Sequence, residues 1–293
     1  MTRTEIELMT QPDTWARAAE LAADPVVAST LPARGERVLI LGCGTSWYIG
    51  RAYAHLREAT GHGITDAFPG SEPPAAREYD RVIALSRSGT TTEIIDALQA
   101  RPERSLLLTA VGGGPAAPHA DDEIVLDFAD EESVVQTRFA TTALALLRAS
   151  LGEDLAPVIE QCRARLAQEA DPSLVDAEQI TFLGTGWSEG LAQEAALKLR
   201  ESSQSWTEAY VAMEYRHGPL SIAQEGRTVA CFGPAPEGLA AQVRATGATF
   251  LESGQDPMVD LAATHLAAVR RSEKRGMNPD TPRNLTRAVH LDR

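Results

Sequence analysis

The sequence predicts an α/β fold built from two doubly wound parallel-sheet units in tandem, on three observations. Arg37–Leu41 (RVLIL) is a short apolar run that passes straight into Gly42-Cys-Gly-Thr-Ser46 and a helical pattern. Arg81–Leu85 (RVIAL) does the same through a hydroxyl-rich turn, Ser86–Thr92. The first pattern then returns: LGCGTSW at 41–47 is echoed by LGTGWSE at 183–189, displaced by 142 residues in a chain of 293. Buried parallel strands read as unbroken apolar runs, and a strand, a glycine turn and a helix open such a sheet. Recurrence near half the chain length points to two copies of one topology.

In order, the chain is expected to begin with a helix over 10–24, carrying Trp15, Ala18, Leu21 and Ala22, and a turn at 31–36. Strand 37–41 leads to a helix over 47–59, and strand 81–85 to a helix ending near Ala100. Strands follow at 105–109 and 124–127. The segment Glu131–Arg138 opens a helix to Ser150, and 157–170 is a linking helix. The second half reads as strand 179–183, a helix after Glu189, strands 228–232 and 248–251, and a helix over 258–274. Pro279 and Pro282 make the tail irregular. The domains are placed at 25–152 and 165–293.

Composition narrows the function. The net charge of −14 disfavours nucleic acid and anionic membranes as partners. A small anion can still be held locally by backbone N–H groups and hydroxyls. No run reaches 18 apolar residues and the N-terminus lacks an apolar leader, so a cytoplasmic protein is expected. Three widely spaced cysteines (43, 162, 231) form neither a disulfide framework nor a CxxC pair, and six histidines show no HExxH spacing. No metal is expected. GCGTS lacks the third glycine of a dinucleotide fingerprint, which disfavours a nicotinamide; no cofactor is expected.

Two stretches carry candidate chemistry. Hydroxyls at 86, 88, 90, 91 and 92 surround Gly89 ahead of a helix. Such a loop suits an anion, because glycine lets the backbone approach and the helix N-terminus presents N–H groups. The alternative is an ordinary N-cap with Glu93 in a capping box. The second stretch is Gln193–Leu220, QEAALKLRESSQSWTEAYVAMEYRHGPL. Lys198 and Glu201 share a helix face at i,i+3, and His217-Gly-Pro follows in a loop. They read either as an acid/base pair or as a salt bridge on a solvated helix.

The same segments resemble the sugar-isomerase (SIS) domain family, in particular the isomerase half of the glucosamine-6-phosphate synthases. Ser86-Arg-Ser-Gly-Thr-Thr91 fits the family's SxSGxT signature, and LKL-basic-E with EAY…E-x-basic-HGPL matches without a gap. The resemblance implies flavodoxin-like units and a sugar-phosphate substrate. It implies phosphate ligands at Ser46, Ser86, Ser88 and Thr91, and sugar contacts at Cys43, Gly44, Thr45, Arg87, Val134 and Gln136. Glu201, tuned by Lys198, becomes the carbon-2 base and His217 the ring-opening group, reaching the site of a partner subunit in a homodimer. The chain departs from the synthase pattern at Arg87 (there Gln), Thr90 (Glu), Gln136 (Ser) and Arg287, which stands for an imine-forming lysine. A guanidinium cannot form a Schiff base. With no glutamine-hydrolysing domain expected either, the reading leans to a dehydratase acting on glucosamine or N-acetylglucosamine 6-phosphate. Isomerase/deaminase is the close alternative, and a non-catalytic phosphosugar sensor the alternative of another class.

Overall fold

A computed structural model describes residues 1–291. The helices and strands run α1 (Arg3–Met9), α2 (Gln11–Ala22), α3 (Pro25–Thr30), β1 (Val38–Gly42), α4 (Thr45–Ala59), β2 (Thr65–Pro69), β3 (Arg81–Leu85), α5 (Thr92–Ala100), β4 (Arg104–Thr109), β5 (Asp122–Val125) and α6 (Arg138–Ser150). They continue α7 (Ala156–Leu166), α8 (Pro172–Val175), β6 (Gln179–Gly184), α9 (Ser188–Ser203), β7 (Thr207–Val211), β8 (Arg227–Phe232), α10 (Leu239–Ala245), β9 (Thr249–Glu252) and α11 (Pro257–Lys274). None of the described helices is long and apolar enough to cross a membrane.

The chain divides into two compact units. The first-sheet unit holds 10–132, 138–156 and the tail from Thr286; the second-sheet unit holds 1–9, 133–137 and 157–285. All strand pairs are parallel. The first sheet has the order β2-β1-β3-β4-β5 and the second β7-β6-β8-β9. The first is the flavodoxin-like order, and the second repeats it without a fifth strand. The central strands β1, β3 and β6 are buried along their whole length, as their apolar runs require.

Two strands absent from the sequence expectation complete the sheets. Both β2 (TDAFP) and β7 (TEAYV) are edge strands, buried at one end and partly open along the rest. A half-exposed edge strand needs no apolar run, so neither shows one. The short helices α1, α3, α8 and α10 were also not expected. The helix expected from Glu131 begins instead at Arg138. The Glu131 carboxylate accepts from the Arg138 and Phe139 N–H groups at 3.0 and 3.2 Å, so it caps α6 from seven residues upstream. The strand expected at 124–127 is β5, and a 3-10 turn takes 127–129.

The repeat holds at the level of atoms. A Cβ on Gly42 would lie 2.5 Å from the Ser46 carbonyl carbon, and one on Gly184 would lie 2.4 Å from the Ser188 oxygen. Each strand-to-helix turn therefore closes too tightly for any side chain, and Gly44 and Gly186 turn with positive φ of 52° and 62°. In the second-sheet unit, Glu5 on α1 pairs with Arg270 on α11 at 2.5 Å. Asp280 takes the Arg3 and Thr4 N–H groups at 2.8 Å each, which closes the N-terminus onto this unit.

Candidate functional site

In a sheet of order 2-1-3-4-5, the chain turns in opposite directions out of β1 and β3, and the crevice at their carboxyl ends is where ligands bind. The two loops singled out in the sequence leave those two ends. Cys43–Ser46 follows β1, and Ser86–Thr91 follows β3.

The hydroxyls of the second loop do not serve as a helix cap. Thr91 is the N-cap of α5 in extended conformation (φ −65°, ψ 122°), yet its side chain makes no cap hydrogen bond. Its Oγ1 lies 3.4 Å from Ser86 Oγ. Ser88 Oγ accepts from the Thr90 N–H at 3.2 Å and the Thr90 hydroxyl at 2.8 Å, and Gly89 turns the loop at φ 63°. In the first loop, Ser46 Oγ makes no hydrogen bond among the described residues, although the residue is buried. Its counterpart one repeat later, Ser188, is consumed by the fold. Ser188 Oγ accepts from the Thr185 N–H at 2.9 Å and faces the carbonyls of Thr185 and Phe232 at 3.0 and 2.7 Å. Thus, among the described residues, the first copy leaves its serine hydroxyl available while the second uses its serine for structure. Thr45 opens α4 beside Ser46, and Gly44 is its N-cap. Cys43 packs against the apolar cluster of Leu39, Leu41 and Ile94, and burial pushes its thiol up to about 11. It is a packing group rather than a nucleophile, because the thiolate is the reactive form.

Arg87 is buried and paired with Glu131 at 3.8 Å. It also donates to the Arg287 backbone carbonyl at 3.1 Å. The Arg287 guanidinium is held by the Asp130 carboxylate and donates to the Glu131 carbonyl at 2.6 Å. Beyond it, the Thr92 N–H donates to Val289 O (3.4 Å), and the Leu291 N–H to Thr92 Oγ1 (3.1 Å). The described tail therefore lies across the start of α5.

The second-sheet unit carries the other candidates. Good helix formers, Ala192, Ala195, Ala196 and Leu199, build α9, which is buried around most of its circumference; Gln204 ends it in the left-handed conformation. Lys198 is buried between two carboxylates on that helix. Its ammonium is 3.5 Å from Glu194 and 2.5 Å from Glu201. Glu194 is enclosed, whereas the Glu201 side chain keeps 15% of its surface open. The trio is not a solvated ladder: one cation is shared by an inaccessible carboxylate and an accessible one. His217 ends a 3-10 turn (Glu214–His217) and is exposed. Val134 and Gln136 fall in 133–137, an irregular segment fastened to α1 by the bond from Ser133 Oγ to Glu7 at 2.5 Å. Ser46, Ser86, Ser88, Thr91, Arg87 and Arg287 thus belong to one unit, and Lys198, Glu201, His217, Val134 and Gln136 to the other.

His265 on α11 was not singled out in the sequence, because a lone histidine on an apolar helix carries no local signal. It is fully buried, and neither ring nitrogen has a hydrogen-bond partner among the described residues. Burial, reinforced by the Lys198 charge, pulls its pKa down to about 3 from 6.5. The unfolded chain binds this proton between those values and the folded one does not, so stability falls as pH drops through that window. Asp260 acts oppositely. Burial raises it from 3.8 to about 6, so its contribution fades as pH rises. The two partly cancel in the wild type. Below pH 6 the wild type should therefore lose stability faster than His265→Leu, by up to about 1.4 kcal/mol per pH unit. Denaturant unfolding of both proteins from pH 7 to 4.5 checks this, and parallel curves would refute a neutral buried His265.

No established protein-family profile matches the chain. In sequence it is 27% identical to the isomerising glutamine–fructose-6-phosphate aminotransferase of Sulfolobus acidocaldarius, over 87% of this chain and 50% of that protein. It is 28% identical to the enzyme of that name from Aeropyrum pernix, over 98% and 57% respectively. The chain spans about half the length of the curated relatives it matches. Among solved structures, a glucosamine-6-phosphate deaminase from Thermotoga maritima superposes with a TM-score of 0.81 at 24% identity, covering 98% of this chain and 100% of that one. A tagatose-6-phosphate ketose/aldose isomerase from Escherichia coli superposes at 0.80 and 21% identity, covering 96% and 95%. The chain is thus similar in sequence to the isomerising aminotransferases over most of its length, and it has the fold of phosphosugar isomerases.

Proposed function

We propose that this protein is a phosphosugar enzyme of the isomerase type, acting on open-chain glucosamine 6-phosphate by proton transfer at carbon 2. The observation that carries this is the set of hydroxyls around the first sheet's switch point. Thr91 stands at a helix N-terminus without capping it, and Ser46 Oγ has no hydrogen-bond partner among the described residues where its repeat Ser188 both accepts and donates. With Ser86 and Ser88, these donors suit a phosphate, whose charge the α5 N-terminus also favours. Glu201 takes the proton from carbon 2, which the open-chain carbonyl acidifies, and Lys198 steadies the carboxylate. The resulting enolamine gains a proton at carbon 1 and becomes a ketimine. Water then releases ammonia, leaving fructose 6-phosphate. The names of the relatives and of the deaminase neighbour favour this outcome.

Elimination of the carbon-3 hydroxyl from an N-acetylated substrate is the second reading. It is favoured by the guanidinium at 287, which cannot form an imine. It is weakened because that guanidinium is already neutralised by Asp130 and does not await an oxyanion. His217 is exposed, and so are Trp206, Val211 and Met213 along the same stretch, which suits a homodimer in which His217 serves the partner's site.

NMR of the protein with each sugar phosphate in deuterated water separates the readings. Glucosamine 6-phosphate should give fructose 6-phosphate, deuterated at carbon 1, and ammonia. An unsaturated product from the N-acetyl sugar alone would replace this reading with elimination. Binding without turnover would make the protein a sensor.

A further inference from the structure

Two residues of the first-sheet unit, Arg87 and Asp130, join its hydroxyl loop to the tail. Arg87 lies inside the loop, between Ser86 and Ser88, and its side chain is almost completely buried. The Glu131 carboxylate fixes it from one side, and Glu131 is itself immobilised by the α6 N-terminus. A guanidinium so placed has little freedom, and it spends one N–H on the Arg287 carbonyl. The side chain of that same Arg287 points to Asp130, one residue before Glu131, and to the Glu131 carbonyl. Two arginines and two consecutive acids thus interlock, with charges balanced. Two residues further on, Val289 accepts the Thr92 N–H, the first helical N–H of α5, and the Leu291 N–H returns a bond to the Thr92 hydroxyl.

We infer that Asp130 and Arg87 are positioning residues that latch the tail across the hydroxyl loop, with Arg287 as the latch's moving half. The latch explains why arginine serves at 287. A planar guanidinium reaches a carboxylate and a carbonyl at once, which a lysine ammonium at the end of a flexible stem does less well. It also assigns a role to the arginine at 87, the only long side chain in the loop, as the tie between loop and tail. A tail held at 287, 289 and 291 confines a ligand anchored in the hydroxyl loop, so releasing it weakens retention of substrate more than it slows chemistry. This last step rests on the proposed function; the latch itself does not.

The test has two arms. In the first, backbone amide exchange over 286–291 is followed without substrate in the wild type, in Asp130→Asn and in the charge swap Asp130→Arg/Arg287→Asp. Asp130 is about one-third exposed, so the single variant should fold normally. Exchange should quicken at least fivefold in Asp130→Asn and return to within about twofold of the wild type in the swap. Unchanged exchange in Asp130→Asn overturns the latch. In the second arm, KM for glucosamine 6-phosphate should rise about tenfold in Asp130→Asn with kcat within twofold. A loosened tail with unchanged KM, or an equal loss in kcat, overturns the positioning role. Should the wild type bind no sugar phosphate at all, the functional reading falls, and the exchange arm still decides whether the latch exists.

Discussion

Replacing Glu201 by glutamine should lower kcat by about a thousandfold while leaving sugar-phosphate affinity within a few-fold of the wild type. A positioned general base is worth about 10²–10⁴ in rate, and an amide of the same shape cannot accept the proton. The loss belongs to the chemical step because Glu201 lies on α9 of the second-sheet unit, whereas the hydroxyls assigned to phosphate lie in the other unit. Folding should survive, since the Glu201 carboxyl is partly open and Lys198 keeps Glu194 as a counter-charge. Solvent exchange at carbon 2 should vanish together with product. Retained exchange without product would assign the base to another group. The same variant tests the homodimer. Mixed with His217→Ala subunits, it should regain part of the wild-type activity through heterodimers holding one intact site. No recovery despite demonstrated subunit exchange would place both residues in a site built by one chain.

What the sequence revealed and what it concealed divide along a physical line. β1, β3 and β6 are covered on both faces, and full burial demands unbroken apolar runs such as Val38–Leu41. The edge strands β2 and β7 meet no such demand and carry no such run. The start of α6 was hidden for a different reason. Its cap, Glu131, acts across seven residues, so no local capping pattern marks it. The site follows the same rule. Ser86, Ser88 and Thr91 were legible because a turn with so many hydroxyls is chemically unusual over six residues. Lys198 and Glu201 were legible as neighbours on one helix, but only tertiary packing shows that Glu194 is enclosed and that the Lys198 charge acts on a buried His265. Arg287 was read as standing for the family's lysine, and its partner Asp130 is 157 positions away in the chain. A contact at that separation leaves no periodicity or spacing to read.

Thr91→Val should weaken the binding of a sugar phosphate by about 10- to 100-fold with almost no change in melting temperature. A hydrogen bond to a charged group contributes about 1.5–3 kcal/mol, and each 1.4 kcal/mol is a factor of ten in affinity. Valine keeps the β-branch and the extended backbone of an N-cap whose hydroxyl does no capping, so the fold loses little. Ser88→Ala should weaken binding at least as much, because Ser88 Oγ also accepts both donors of Thr90 and so shapes the loop. The repeat supplies an internal control. Ser188→Ala removes a hydroxyl that accepts the Thr185 N–H and donates to one of two carbonyls inside the second-sheet unit, so it should cost stability, by about 1–3 kcal/mol, and leave affinity for the phosphate unchanged. Calorimetric titration with glucosamine 6-phosphate and with inorganic phosphate, alongside thermal unfolding, measures all three variants. The expected pattern is two opposite losses from two hydroxyl-bearing turns: affinity in the loop after β3 and stability in the turn after β6. Wild-type affinity in Thr91→Val would remove the phosphate from this loop, and a Ser188→Ala protein that binds poorly at full stability would move it to the other sheet.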